Sequence, residues 1–247
     1  MPRIPVKLNK DTIVEALFEI RFNSSRGSIV DLLPGLLFGS VANEYPTIEK
    51  LPITNLPSPV ILSEPNLRYL PQHRLIGDKY SLLIGEHVFA ISCPKPYVGW
   101  SEFYPAIIKL IRLLENTNLI SEVERFSIRY VNLIPSIEAD SSPEKLRTNL
   151  TLGPYNLGEK VTQLRTEIME RDFLNVIQVA SNAMTELVTG EKLQGCLLDI
   201  DTIRLGKFAD FWKELPGLLQ SAHDVEKMIF FGVLTDKTIN ELEPIWS

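Results

Sequence analysis

The stretch "IVEALFEIRF", residues 13–22, combines an apolar run with three charged side chains. Its hydrophobicity alternates at every second residue, which is the period of a β-strand. One side of such a strand carries only apolar residues, namely Val14, Ala16, Phe18, Ile20 and Phe22. A helix would leave both phenylalanines outside its apolar face. The pattern therefore predicts a strand, with Glu15, Glu19 and Arg21 on its opposite side.

Similar strand patterns follow further along the chain. Residues 67–93 predict a three-stranded meander whose turns fall at Gly77–Asp78 and Gly85–Glu86. A glycine in the first position of a two-residue loop suits a type II′ turn. The predicted strands are residues 67–76, 79–84 and 87–93. "ERFSIRYVNLI", residues 124–134, alternates in the same way and predicts another strand.

The order of elements is similar before and after the middle of the chain. An amphipathic helix at 101–115 follows the meander, and a long amphipathic stretch at 208–231 follows a hairpin that turns at Gly190–Glu191. Between them lies a segment rich in Ser, Pro, Gly and charge. We therefore predict an α+β fold of two tandem halves, each an antiparallel sheet packed against a long amphipathic helix. The predicted boundaries are residues 1–137 for the N-terminal half, 138–160 for the linker and 161–247 for the C-terminal half.

Composition limits the classes of function that the chain can have. It has 247 residues, is 45% hydrophobic and carries a net charge of −6. A mildly acidic protein without a run of basic residues is not expected to bind nucleic acid. No stretch has the ~20 apolar residues that cross a bilayer, and the N-terminus has no apolar signal segment, so we expect a cytoplasmic protein without membrane contact. Cys93 and Cys196 each lie in an apolar run and are expected to be buried, reduced thiols.

Sequence motifs of the common enzyme classes are missing. The chain has no dinucleotide fingerprint, no phosphate loop and no Gly-x-Ser-x-Gly nucleophile elbow. His73, His87 and His223 are not spaced as metal ligands, and His223 is expected to face water because Asp224 follows it on a helix. The sequence therefore predicts no catalytic residues, no metal and no cofactor.

Charged residues on predicted strands form one candidate site. Arg129 alternates with apolar residues in its strand, and Asp199 and Asp201 point to the same side of theirs. Two such carboxylates could share a divalent cation. On an open sheet the charges would instead form cross-strand ion pairs, which we favour; in a closed cavity they would bind a ligand. The candidate ligand-binding residues are Glu15, Glu19, Arg21, Arg129, Asp199 and Asp201.

Aromatic residues form a second candidate site at the start of the helix predicted at 101–115. Tyr97, Trp100 and Tyr104 lie close together in the sequence there. Core packing is the simpler explanation of such a cluster. The alternative is a protein interface, because Trp and Tyr are favoured at interaction hot spots.

Four motifs occur in an order that resembles a sporadically distributed bacterial family of about 250 residues. They are "IVEALFEIRF", "YVGWSEF", "RFSIRYVNLI" and "FFGVLTDKTINELEP". The resemblance covers nearly the whole chain and implies no activity, cofactor or catalytic residue. The patchy distribution of the family implies an accessory role, such as defence or a mobile-element function.

Two functions are consistent with these observations. The first is a non-catalytic binding or assembly protein that contacts a protein partner or its own copy, and the scarcity of catalytic residue types favours it. The second is a protein that binds a small molecule or phosphate ligand, or an enzyme, with a charged cavity between sheet and helix. In that case the six charged residues would line the cavity.

Overall fold

The computed structural model describes residues 4–135, 145–156, 163–187, 190–206 and 208–246. The five α-helices of these ranges are α1 Leu33–Val41, α2 Ser58–Ser63, α3 Trp100–Glu115, α4 Phe211–Val233 and α5 Asp236–Glu241. The strands are β1 Lys7–Leu8, β2 Ile13–Ser24, β3 Thr47–Lys50, β4 His73–Ile76, β5 Ser81–Ile84, β6 Val88–Pro94, β7 Ile120–Pro135, β8 Thr151–Leu152, β9 Tyr155–Asn156, β10 Gln163–Glu170, β11 Phe173–Glu186, β12 Lys192–Leu205 and β13 Pro244–Ile245. The fold is therefore a mixed one, with helices and antiparallel strands.

One large antiparallel sheet organises the molecule. It has nine strands in the order β10-β11-β12-β7-β2-β6-β5-β4-β3. Strand β2 lies inside this sheet, between β6 and β7. Two short ribbons, β1 with β13 and β8 with β9, lie outside it. The strand predicted at residues 13–22 is thus the inner strand that links the two sides of the sheet.

The alternation in β2 defines the two faces of the sheet. Ala16, Phe18, Ile20 and Phe22 are fully buried, whereas the residues between them are only partly buried. We call the face that carries these four residues the helix face. The opposite face, which carries Glu15, Glu19 and Arg21, is the polar face.

Helices α1, α3 and α4 cover the helix face. Their apolar residues, such as Leu37, Phe103, Ile107 and Leu219, belong to the same buried cluster as Phe18. Burial of these side chains is the main favourable term in the packing of the helices on the sheet. None of the helices in the described ranges is both long enough and apolar enough to cross a membrane.

Helix α4 continues through Pro216 and Gly217, where the sequence predicts a kink or the start of a second helix. Proline lacks the N–H that would bond to the residue four positions earlier, which here is Trp212 in the first turn. The loss is therefore confined to the first turns of a long helix. Helix α5 is capped by Thr235, because the Thr235 hydroxyl accepts a hydrogen bond from the Thr238 N–H.

Strands from both predicted halves belong to the same sheet. Strand β12, from the C-terminal part of the chain, pairs with β7 from Gly195 to Leu205. The buried cluster under β2 also includes residues of α4. Two tandem halves with separate sheets are therefore not confirmed. The predicted linker is described only over residues 145–156, which include the ribbon β8–β9, and the rest of it lies outside the described residues.

The turns of the meander differ from the predicted type II′ turns. The Gly77 N–H donates to the Tyr80 carbonyl, and the Gly85 N–H donates to the Val88 carbonyl. Each glycine therefore precedes the tip of its turn, and neither has a positive φ. The glycines are required by close packing instead, because a Cβ would lie 2.6 Å from the Glu44 carbonyl oxygen at Gly77 and 2.7 Å from the Leu70 carbonyl oxygen at Gly85. Residues 67–70, predicted as strand, precede β4 as turns.

Gly195 in β12 has the closest backbone neighbour of all the glycines described. A Cβ at this position would lie 2.2 Å from the carbonyl oxygen of Ile134 on β7. We expect Gly195→Ala to lower the free energy of unfolding by roughly 2–4 kcal/mol, because the two strands must separate to admit the methyl group. Denaturant unfolding measures this change.

Gly217→Ala is the matched control for Gly195→Ala. Gly217 lies in α4, and no atom outside its own turn of the helix lies within 4 Å of the position of its Cβ. Because alanine is the better helix former, this variant should gain roughly 1 kcal/mol. Equal effects of the two substitutions would contradict the close strand approach.

Candidate functional site

The polar face of the sheet holds all six charged residues that the sequence singled out. Strand pairing sets Leu17 of β2 opposite Arg129 of β7, and Arg129 opposite Asp201 of β12. Opposed residues of antiparallel strands share a face, so the side chains of three neighbouring strands lie side by side. The prediction that they would form ion pairs across an open sheet agrees with this placement.

Arg129 and Asp199 form the central pair of this network. The Arg129 Nε lies 2.7 Å from Asp199 Oδ1, and its Nη2 lies 2.5 Å from Oδ2. Gln178 on β11 donates a third hydrogen bond to Asp199, at 3.2 Å. Such a bidentate pair is among the strong hydrogen bonds of proteins. The Asp199 carboxylate raises the pKa of Arg129 further, so this guanidinium stays charged at every accessible pH.

A second arginine, Arg125, links Glu19 of β2 to Asp201 of β12. Its Nη2 lies 3.3 Å from the Glu19 carboxylate and 3.4 Å from that of Asp201. Glu19 also accepts a hydrogen bond from Arg21 at 2.8 Å, whereas Glu15 instead accepts a hydrogen bond from the Ser92 hydroxyl. Burial raises the pKa of the Asp201 carboxyl, against the opposing charge of Arg125. Arg125 is not among the residues predicted from the sequence, although it lies in the same strand pattern as Arg129.

The charges of the polar face are therefore bound mainly to one another. Asp199 and Asp201 each contact an arginine and do not converge on a shared cation. Within the described ranges no group of three or more His, Cys, Asp or Glu residues is arranged to hold a metal ion. The network lies on the opposite side of the sheet from α3 and α4. None of its six predicted residues lines the cavity between sheet and helix, because alternation directs them to the polar face.

A pocket does exist between the sheet and α4, at the end of the helix face. Its volume is about 360 Å³, within the range of pockets that bind small molecules. Four segments form its wall: the N-terminal residues 6–13, the loop 97–100 that leads into α3, strand β7 and helix α4. Most of the wall is apolar, with a small number of polar groups directed into it.

A chain of hydrogen bonds crosses this pocket. The hydroxyls of Tyr97 and Tyr130 lie 3.1 Å apart, and the Tyr130 hydroxyl lies 3.4 Å from His223 Nδ1. The His223 ring stacks on the indole of Trp100, with ring centroids 4.0 Å apart and an angle of 9° between the planes. Trp100 is fixed in turn by a hydrogen bond from its Nε1 to Gln220. His223 therefore packs against the pocket wall, and the expectation that it faces water is wrong.

Two further side chains of the pocket have polar atoms without a hydrogen-bond partner among the described residues. Glu226 is only 5% exposed, and none of the hydrogen bonds or ion pairs among the described residues involves its carboxyl group. Asn132 accepts a hydrogen bond from the Thr12 hydroxyl, but its buried Nδ2 has no partner in the described part of the chain. Buried polar groups of proteins are nearly always hydrogen-bonded, so each of these two requires an explanation.

The pocket changes the protonation of its ionisable groups. Burial raises the pKa of Glu226 to about 8, although the neighbouring Lys227 opposes this shift. Burial lowers the pKa of His223 to about 4, and the charge of Lys227 adds to the effect. Burial also raises the pKa of Tyr130 well above its ordinary value. At pH 7 the pocket therefore holds a neutral imidazole and a mostly protonated carboxyl group, and such shifted pKa values are typical of functional sites.

Most of this pocket is not predicted from the sequence, because its residues come from distant parts of the chain. A signal was present in α4, where Glu226 follows Leu215, Leu219 and Ala222 at helical spacing and so belongs to the buried stripe. Of the three aromatic residues predicted as an interface, Tyr97 and Trp100 line the pocket, while Tyr104 packs on Trp100 and donates a hydrogen bond to the Pro216 carbonyl. Their role in a protein interface stays a prediction.

No protein-family model matches the chain, and no curated protein matches it. The geometry of the two sites is therefore the basis for inferring its function.

Proposed function

We propose that the protein binds a small organic molecule in the pocket between β7 and α4, and that the ligand carries a positively charged nitrogen beside an apolar body. The observation that carries this proposal is the buried Glu226 carboxyl group, which faces a pocket of about 360 Å³ without a partner among the described residues. This is the second of the two functions considered above, with different residues in the site.

The positive charge of the ligand follows from what the pocket wall offers. The side chain of Lys227 is held by a hydrogen bond to the Val6 carbonyl, and His223 is neutral at pH 7. A buried carboxylate is stable only beside an opposite charge or several donors. Tyr97 and Trp100 also line the pocket, and aromatic rings favour a nearby cation. A protonated amine would therefore ionise Glu226 and pair with it.

The experiment is a binding titration with paired probes. Primary organic amines with aromatic or aliphatic bodies are compared with alcohols of the same size, by calorimetry and by the shift of the unfolding temperature. We expect at least one amine to bind saturably, and its alcohol analogue to bind at least tenfold more weakly, because it lacks the charge. Glu226→Gln should abolish this difference.

Glu226→Gln is a sharp test because the variant is expected to fold and to gain stability. Loss of amine binding can therefore not result from unfolding. Glu115→Gln, an exposed position at the end of α3, is the matched control and should bind as the wild type does. If no amine binds, or if Glu226→Gln binds amines unchanged, the proposed function is wrong.

Assembly through protein contacts is retained as a second proposal. Strand β10 supports it, because it carries exposed apolar residues at an edge of the sheet. The two-half organisation, the cytoplasmic location, the resemblance to the bacterial family and an accessory role in defence or mobile elements also stay proposals. The ligand-binding role of the six polar-face residues has the same standing, and their mutual pairing favours a structural role.

A further inference from the structure

Strand β10 forms one edge of the nine-stranded sheet. In the described part of the chain no strand lies beyond it. Ile168 is 45% exposed and Met169 is 64% exposed on this strand. An edge strand presents a row of unpaired N–H and C=O groups, and natural proteins usually protect such an edge or use it for association. The edge of β10 therefore requires a partner or a protecting feature.

We propose that β10 pairs antiparallel with β10 of a second copy of this chain, with the two-fold axis at Thr166. Pairing of this kind extends the sheet of one protomer into the sheet of the other through main-chain hydrogen bonds. A two-fold axis makes the contact self-complementary: if a residue of one copy contacts a given residue of the second copy, the reverse contact is also made.

The charges of β10 select this register. With the axis at Thr166, Arg165 lies opposite Glu167 of the second copy, and Leu164 lies opposite its Ile168. Arg165 and Glu167 already contact one another within one strand, at 2.7 Å, so both side chains project on the same face and reach across it. Opposite charges and apolar residues directly across a strand pair are both stabilising.

The neighbouring registers are unfavourable. An axis at Arg165 would set two arginines opposite one another, and an axis at Glu167 would set two glutamates opposite one another. If one strand shifted by a single residue, the helix face of one copy would continue into the polar face of the other copy. The axis at Thr166 is the arrangement that matches charge, apolar character and face at once.

This inference rests on the assembly proposal and is independent of the pocket. It gives that proposal a definite partner, a second copy, and a definite edge. The paired segment is short, so we expect a dimer that dissociates on dilution. A protein that assembles through another surface would give a different outcome in the experiment below.

The first measurement is sedimentation of charge variants over a range of concentrations. Arg165→Glu and Glu167→Arg each turn two attractive pairs of the dimer into repulsive ones, and each should weaken association about tenfold or more. The double variant Arg165→Glu/Glu167→Arg restores opposite charges and should dimerise like the wild type. Arg74→Glu, which reverses an exposed charge on β4 near the other edge, is the control and should have no effect.

The second measurement is disulfide cross-linking under mild oxidation. Thr166→Cys places the new thiols of the two copies opposite one another at the axis and should give a covalent dimer. Ile168→Cys, on the same strand and face, places them about 13 Å apart and should not. The native cysteines, Cys93 and Cys196, are buried and do not compete.

Three results would overturn the inference. The first is a wild type that stays monomeric at high concentration. The second is a dimer that resists both single charge reversals, which would support assembly through another surface. The third is cross-linking of Ile168→Cys in preference to Thr166→Cys, which would exclude the axis at Thr166.

Discussion

Replacing Glu226 with Gln should stabilise the folded protein, and the gain should grow by about 3 kcal/mol between pH 4 and pH 7. The pKa of this carboxyl group rises from its ordinary value of 4.5 to about 8 on folding, because the group is buried. Each pKa unit corresponds to about 1.4 kcal/mol. Glutamine has nearly the same shape and does not titrate, so the difference between the two proteins isolates the ionisation of Glu226.

The direction of this pH dependence follows from the number of protons that the folded and unfolded states bind. Between pH 4.5 and about 8 the folded state keeps the proton of Glu226 while the unfolded state has lost it, so the stability of the wild type falls as the pH rises through this range. His223 acts in the opposite direction between its folded pKa of about 4 and its ordinary value of 6.5, because there the unfolded state binds the extra proton. We therefore expect wild-type stability to change little from these two groups between pH 4.5 and 6.5 and to fall between pH 6.5 and 8.

Denaturant unfolding at a series of pH values measures the effect. The gap between Glu226→Gln and wild type should widen by about 1.4 kcal/mol per pH unit from pH 5 and level off above pH 8. Glu115→Gln removes an exposed carboxylate from α3 and should show a gap that varies by less than ~0.5 kcal/mol. A constant gap for Glu226→Gln would show that this carboxyl group is solvated or paired, and the proposed site for a cationic ligand would lose its basis.

Local sequence patterns predicted much of the sheet. The alternation in residues 13–22 and 124–134 identified two inner strands, because a strand with one face under helices must be apolar at every second position. The same alternation placed Glu15 and Arg129 on a common face. The turns were less predictable. Glycine is required at positions 77 and 85 because the backbone of Glu44 and Leu70 packs closely against them, and the sequence preferences of turns do not include such tertiary contacts.

The pocket could not be predicted in the same way, because in β7 and in α4 only a single polar residue interrupts an otherwise apolar row. Asn132 continues the buried row of Phe126, Ile128 and Tyr130 on β7, and Glu226 continues the buried stripe of α4. Each looks like an isolated exception in its own segment. Only the packing of α4 across β7 brings the exceptions together.

The joining of all nine strands into one sheet was also beyond local patterns. When two parts of a chain have strands and helices in a similar order, the strands can form two separate sheets or one shared sheet. The choice depends on whether β7 pairs with β12, a contact between distant segments. The apolar alternation of both strands is the same in either arrangement.

Arg129→Met should lower the free energy of unfolding by about 3 kcal/mol. The substitution removes the charged partner of Asp199, whose side chain is only 4% exposed and would keep just the hydrogen bond from Gln178. Removing one member of a buried ion pair leaves an uncompensated charge, and this is typically more costly than removing both members. Denaturant unfolding with an unchanged m-value measures the loss.

The double variant Arg129→Met/Asp199→Asn separates the free-energy cost of an unpaired buried charge from the net contribution of the ion pair to stability. It removes both charges and should recover stability to within about 1 kcal/mol of the wild type. Arg74→Met breaks the exposed ion pair between Arg74 and Glu49 on β4 and β3, and it should cost less than ~1 kcal/mol. If Arg129→Met cost no more than Arg74→Met, water would already solvate Asp199, and its carboxylate would be free to bind a ligand. A large loss that the double variant repairs would mean that Arg129 holds the Asp199 carboxylate, so that this carboxylate is not free to bind a ligand.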